Sequence, residues 1–158
     1  MNKENKLLLQ SLAFANLKQK YPSMPDRMIP IKKYNDNSAN ALTKCIIDFI
    51  NFSGGQAERI NTTGRYVDNS KTVTDVVGFN RTIGGGKYIK GTGTKGSADI
   101  SATIKGRSVK IEVKYGKDRQ SEYQKKYQED IESAGGVYVI AKDFDNFKEW
   151  YDLFIKSL

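Results

Sequence analysis

In the first third of the chain, apolar residues recur at helical spacing in two places. Residues 4–20 bring Leu7, Leu8, Leu12 and Leu17 toward one side of a helix. Pro22, Pro25 and Pro30 then prevent continuation, so 21–38 reads as an extended linker or wrapping arm. A second helix is predicted over 39–52, where Cys45, Ile46, Ile47, Phe49 and Ile50 supply the apolar positions. Gly54-Gly55 stops it.

From residue 56 the pattern shortens toward strands. Residues 56–62 predict a strand, with Thr63-Gly64 as a turn. Residues 65–83 are mixed, and Val73–Phe79 reads as either a strand or a loop. Gly84–Gly86 makes a turn, Lys87–Lys90 a brief strand and Gly91–Gly96 a glycine-threonine loop. Two strands follow, over about 98–104 and 108–114, around Lys105-Gly106. Residues 119–134 predict a helix with Tyr123, Tyr127, Ile131 and Ala134 on its core face rather than free to stack on bases. Gly135-Gly136 ends that helix, and Val137–Ala141 has the apolar character of a strand in a sheet interior. Asp143 or Asp145 caps a last helix whose core face is Phe147, Trp150, Phe154 and Leu158. This order predicts an α/β (α+β) fold, one mixed sheet flanked by helices.

At 158 residues, 38% hydrophobic and 28% charged, the chain suits one soluble domain with a core of its own. No stretch approaches the ~20 apolar residues of a membrane span. The N-terminus imitates a signal peptide, with Ala13-Phe14-Ala15 as a cleavage site, but Gln10 and Ser11 interrupt its apolar run. An amphipathic helix and a cytoplasmic location are expected instead. The single Cys45 reads as a buried, inert thiol, with no disulfide framework or cysteine-based zinc site. The chain has no histidine. That excludes Ser-His-Asp hydrolysis, zinc-histidine sites and His-based nucleases, leaving carboxylates and lysine for any acid–base or metal chemistry.

The net charge of +8 favours an anionic partner, nucleic acid before an acidic membrane. Its distribution sharpens this. Residues 79–120 hold ten basic and three acidic side chains, whereas 121–158 hold five basic and eight acidic. The basic excess surrounds the 98–114 hairpin. Lys87, Lys90 and Lys95 sit in a glycine-rich stretch before it, and Lys117 and Arg119 follow it, all candidates for phosphate contacts. The stretch 84–96 is not a P-loop, because no Gly-Lys is followed by Ser or Thr at the required spacing. The alternative for these lysines is a solvated face with no partner.

Within the hairpin, Glu112 and Lys114 share a strand face, opposite to Ile111 and Val113. A two-residue Lys105-Gly106 loop pairs Ile104 with Arg107 and sets Asp99 opposite Glu112; a three-residue loop would put Asp99 on the other face. Two opposed carboxylates repel unless a cation lies between them. A divalent cation there, with Lys114 beside it, makes a device for phosphodiester hydrolysis.

Four segments in order carry a family likeness: Gly96-Ser97-Ala98-Asp99-Ile100, Ile111-Glu112-Val113-Lys114, Ser121-Glu122-Tyr123-Gln124, and Gly135-Gly136-Val137-Tyr138-Val139-Ile140. Over about 40–141 the chain resembles the VRR-NUC branch of the PD-(D/E)xK nucleases, and its whole length is similar to small nucleases of phages and mobile elements. The resemblance implies a restriction-endonuclease-like core over 39–158, with 1–38 as an added arm that serves dimerisation. It implies Asp99, Glu112 and the Val113 carbonyl as ligands of Mg²⁺ (or Mn²⁺), Lys114 as the catalytic lysine and Gln124 as a site residue. Gln124 also fits a capping box with Ser121. The family's first-helix Glu is replaced here, with Asn40 in its slot. Arg59 and Asn61 are either DNA-backbone contacts or solvated strand positions. The implied protein is a metal-dependent DNA endonuclease, leaving a 5′ phosphate, with a homodimer suited to branched DNA such as a Holliday junction or flap. The rivals are a DNA-binding protein on a degenerate nuclease fold and a phage assembly protein whose hairpin mimics the motif.

Overall fold

The computed structural model describes residues 1–61, 64–91 and 93–158. The expected Thr63-Gly64 turn and Gly91–Gly96 loop each include a residue outside that set. The elements are α1 (Lys3–Lys20), a 3-10 turn (Asp26–Met28), α2 (Ala39–Phe52), β1 (Gln56–Arg59), β2 (Arg65–Asp68), β3 (Lys71–Thr74), β4 (Asn80–Ile83), β5 (Gly86–Ile89), β6 (Ile100–Ile104), β7 (Arg107–Val113), α3 (Glu122–Ser133), β8 (Val137–Ala141) and α4 (Phe144–Lys156). They divide into two compact units, 1–60 with 96–158, and 61–95.

The first unit is a four-stranded sheet in the order β1-β6-β7-β8 with four helices, the mixed α/β arrangement expected. β1 and β7 run antiparallel to β6, while β8 runs parallel to β7. Period-two alternation sends Ile100, Ala102 and Ile104 on β6 to the same buried face as Val109, Ile111 and Val113 on β7. Helix α2 begins where the Ser38 hydroxyl accepts from the Ala41 N–H at 3.2 Å. Its Leu42, Cys45, Ile46, Phe49 and Ile50 follow helical spacing and are buried. Gly54, at φ +83°, ends it in the left-handed region. From α4, Phe144 and Tyr151 meet Phe49 edge-on at centroid distances of 5.6 and 5.0 Å. Each fully buried aliphatic side chain contributes about 1.5–3 kcal/mol. Truncating Ile111, which is wholly buried at the sheet centre, to alanine costs about 2–5 kcal/mol.

Several expectations shift. In α1 the fully buried residues are Leu9 and Ala13, while Leu7 is exposed. The run Leu7-Leu8-Leu9 offers two apolar stripes, and packing on α2 selects the one through Leu9. Residues 1–38 therefore share the core of the unit that holds the hairpin. β8 is an edge strand rather than an interior one, and Ile140 on it is exposed. Tyr123 is exposed, because α3 turns Tyr127 and Ile131 inward and buries no residue completely. Leu158 lies beyond the end of α4 and is exposed. Asp143 is the α4 cap, accepting from the Asn146 N–H at 2.8 Å.

In the second unit, β2 pairs with β5 and β3 with β4, both antiparallel. The 65–89 strands thus form their own ribbon and do not extend the main sheet.

Candidate functional site

The register of the β6–β7 hairpin rests on its turn. Lys105 (φ +49°) and Gly106 (φ +79°) both adopt positive φ, as a two-residue turn with the twist of an antiparallel pair requires. Ile104 pairs with Arg107, and the ladder runs back to Ile100 opposite Ile111. The next position back brings Asp99 to Glu112.

At that end the ladder changes partners. The Lys114 N–H is taken by the Ala141 carbonyl at 2.9 Å, on the β8 side. Strand alternation then turns the Val113 N–H and C=O toward the β6 side. There the Val113 N–H donates to Asp99 Oδ2 at 2.9 Å. The Asp99 carboxylate and the Val113 carbonyl are therefore on one edge of β7. The Asp99 carbonyl accepts from the Ile60 N–H at 2.8 Å, which fixes the strand end that carries the carboxylate.

Glu112 is 2% exposed and Lys114 6%. Lys114 Nζ lies 3.1 Å from Glu112 Oε1 and donates to Gln124 Oε1 at 3.1 Å and to Asp118 Oδ2 at 3.3 Å. Gln124 Nε2 donates to Glu112 Oε1, and the Tyr138 hydroxyl donates to Glu112 Oε2 at 3.4 Å. Among the described residues no buried side-chain nitrogen or oxygen lacks a partner. Burial pushes the Glu112 carboxyl above the usual range, and the Lys114 ammonium only partly offsets it. Burial also opposes the charge on Lys114, but Glu112 and Asp118 outweigh it and raise its pKa. The Tyr138 phenol is held above its ordinary value by burial and by the Glu112 charge.

Gln124 both caps α3 and contacts Lys114 and Glu112. The Ser121 hydroxyl accepts from the Gln124 N–H, and Gln124 Oε1 accepts from the Ser121 N–H, closing a capping box at the start of α3. The same oxygen accepts from Lys114, so the cap that starts α3 also aims Gln124 into the site.

Asp99, Glu112, Val113, Lys114 and Gln124 thus come together. Tyr138 and Asp118 join them unforeseen. A lone tyrosine in an otherwise apolar strand was the available signal for Tyr138, but only the parallel pairing of β8 with β7 brings it to Glu112. Asn40 accepts from Arg59 Nη2 at 2.9 Å. Asn40 and Arg59 line a depression with Thr43, Lys44, Ile47 and Asp48 that includes none of Asp99, Glu112, Lys114 or Gln124. Lys117 and Arg119 are exposed on either side of Asp118. Lys87, Lys90 and Lys95 are exposed in the second unit, and Asn61 is exposed at its start.

Among the described residues, no three His, Cys, Asp or Glu side chains form a group able to hold a metal. For a cation the site offers the carboxylates of Asp99 and Glu112 and the Val113 carbonyl, while Asp118 is engaged by Lys114. Such an all-oxygen set fits a hard cation of the Mg²⁺ type, which needs only one or two carboxylates beside water and phosphate. Zinc, which favours nitrogen and sulfur ligands, is a poor match.

Compared with family models, curated proteins and solved structures, the chain matches none.

Proposed function

We propose that this chain is a Mg²⁺- or Mn²⁺-dependent DNA endonuclease of the PD-(D/E)xK type. The observation that carries the reading is the buried Glu112–Lys114–Gln124 network beside Asp99. A buried ion pair contributes little to stability compared with the Val and Ile that fill the neighbouring positions. Its presence on a central strand therefore favours a chemical role. The order α2-β1-β6-β7-α3-β8, with an Asp before β6, Glu-Val-Lys at the end of β7 and Gln in the first turn of α3, agrees with the resemblance drawn from the sequence.

In this reading Asp99, Glu112 and the Val113 carbonyl hold the cation. A bound Mg²⁺ would supply an activated water and neutralise phosphate charge. Lys114, ringed by oxygens of Glu112, Gln124 and Asp118, serves as a donor: its ammonium orients the water or steadies charge on the scissile phosphate. Gln124 holds Lys114 and Glu112 in register. Tyr138 fixes the second oxygen of Glu112. A homodimer would present two such sites to branched DNA. Among the described residues no helix is long and apolar enough to cross a membrane. The setting proposed with this reading is the cytoplasm of a host cell.

The second reading is a DNA-binding protein with a degenerate site. It is favoured by the small number of acidic ligands and by the engagement of Glu112 with three side chains.

The test is cleavage of labelled four-way junction, flap, single-stranded and duplex DNA with Mg²⁺, Mn²⁺ or EDTA, beside Asp99→Ala and Lys114→Ala. Metal-dependent cutting lost in both variants supports the nuclease. Folded wild type that binds DNA and cuts none of these substrates would leave the second reading.

A further inference from the structure

The ribbon formed by β2–β5 has a distribution of charge that the proposed nuclease site does not use. Residues 61–95 hold six Lys and Arg against two Asp. Directly paired residues of an antiparallel ribbon share a face. In the β2–β5 ladder, the pairs Arg65 with Ile89 and Val67 with Lys87 fall on one face, while Tyr66 with Tyr88 falls on the other. In the β3–β4 ladder, Lys71 with Ile83 and Val73 with Arg81 share a face, opposite Thr72 with Thr82. Both cations of each ladder are therefore on one face, each paired across the strands with an aliphatic residue.

The tip is organised differently. Asp75 Oδ1 accepts from the N–H groups of Val77 and Phe79, each at 2.9 Å, and the Asp75 N–H donates to the Phe79 carbonyl at 2.9 Å. Gly78, at φ +88°, completes the turn, and Arg81 pairs with Asp75 at 3.4 Å. Val76, Val77 and Phe79 stand outward from this hydrogen-bonded turn at 105%, 74% and 69% exposure.

We propose that the ribbon is a DNA-binding arm whose cationic faces follow a groove and whose Val76-Val77-Phe79 tip wedges at a base step. It rests on the nuclease reading only for the choice of DNA among polyanions. A groove wall alternates apolar deoxyribose with anionic phosphate, which the cation–aliphatic pairs complement. A two-stranded ribbon fits a DNA groove, and apolar side chains inserted at a base step kink the duplex. An anionic membrane fits less well. At ~3.3 Å per residue, the cationic face runs from Arg81, about 7 Å behind the tip, back to Lys87 and Arg65, roughly 26 and 33 Å behind it, a span longer than the headgroup layer that an inserted tip would reach.

The experiment measures binding of full-length protein in EDTA to a short duplex carrying 2-aminopurine, across a salt series. Cleavage is not required, so loss of the nuclease reading leaves this test intact. The Arg65→Gln/Lys71→Gln/Lys87→Gln variant should bind more weakly, with the slope of log K against log salt reduced by about two to three. The Val76→Ser/Val77→Ser/Phe79→Ser variant should keep the parental slope and lose the 2-aminopurine signal. All six positions are exposed, so both variants should keep the parental melting temperature. A parental slope and affinity in the charge variant, or a parental 2-aminopurine signal in the tip variant, overturns the proposal. So does binding of the parent to phosphatidylserine vesicles but not to duplex.

Discussion

Lys114 Nζ lies 3.1 Å from Glu112 Oε1, and both side chains are shut away from solvent, two positions apart on one strand face. Each is tolerable there because of the other. Lys114→Met leaves the Glu112 carboxylate buried without its cation. In metal-free protein at pH 8 this should cost about 3–5 kcal/mol. Adding Glu112→Gln should recover more than 1 kcal/mol of that loss, since the two residues are coupled. Urea unfolding of both single variants and the double checks this; strictly additive costs would rule out the coupling.

The pH dependence has a definite sign. Burial raises the Glu112 pKa in the folded state, so the folded chain holds that proton at a pH where the unfolded chain has released it. Its contribution to stability is greatest below about pH 4.3, the unfolded value, and is lost as pH rises through the folded value. Lys114, whose pKa is also raised, contributes below about pH 10.4 and loses that contribution above it. Thermal melts in EDTA from pH 4 to 7 should show the Glu112 slope in wild type and not in Glu112→Gln.

Ser121 and Gln124 separate the helix cap from the site. Ser121→Ala removes only the cap and should cost about 1 kcal/mol. Gln124→Ala loses the reciprocal cap bond and the bonds to Lys114 and Glu112 as well. Melting should show the larger loss in Gln124→Ala, and any cleavage activity should fall in Gln124→Ala while surviving in Ser121→Ala.

Gly96 and Gly106 both have positive φ, at +83° and +79°. A Cβ on Gly96 would clash with the Tyr123 carbonyl oxygen, whereas one on Gly106 would meet nothing within 4 Å. Both alanine variants carry the left-handed strain of about 1–2 kcal/mol. Only Gly96→Ala must also shift the first turn of α3. Its melting temperature should therefore fall well below that of Gly106→Ala.

Cys45 is 1% exposed, and burial first, then the charges of Asp36 and Asp48, push its thiol up to about 11. At pH 8 that leaves about 100-fold less thiolate than a thiol at its ordinary value. A thiol reagent should label native protein slowly and urea-unfolded protein at once. Fast native labelling would contradict the packing of α2.

Much of the candidate site was legible because it depends on local rules. Period-two alternation set Glu112 and Lys114 on one face, and the two-residue Lys105-Gly106 turn carried the register from Arg107 back to Asp99. The Ser121-x-x-Gln124 spacing announced the cap. The helical stripe of α2 and the Asp143 cap of α4 are likewise contained in short stretches of chain.

What needed the folded chain is everything set by contacts between distant segments. Tyr138 meets Glu112 because β8 runs parallel to β7, a choice made by the α3 crossover and by nothing within the strand itself. Leu9 rather than Leu7 is buried because α2 selects one of two apolar stripes on α1. Asn40 spends its oxygen on Arg59, a partner no spacing rule predicts. The mixed pattern of 65–89 became a single ribbon because paired strands settled faces that sequence alternation alone had left ambiguous. Local backbone preferences act over a few residues and can be read from the sequence. Burial and long-range hydrogen bonding depend on which surfaces meet, and only the tertiary structure decided that.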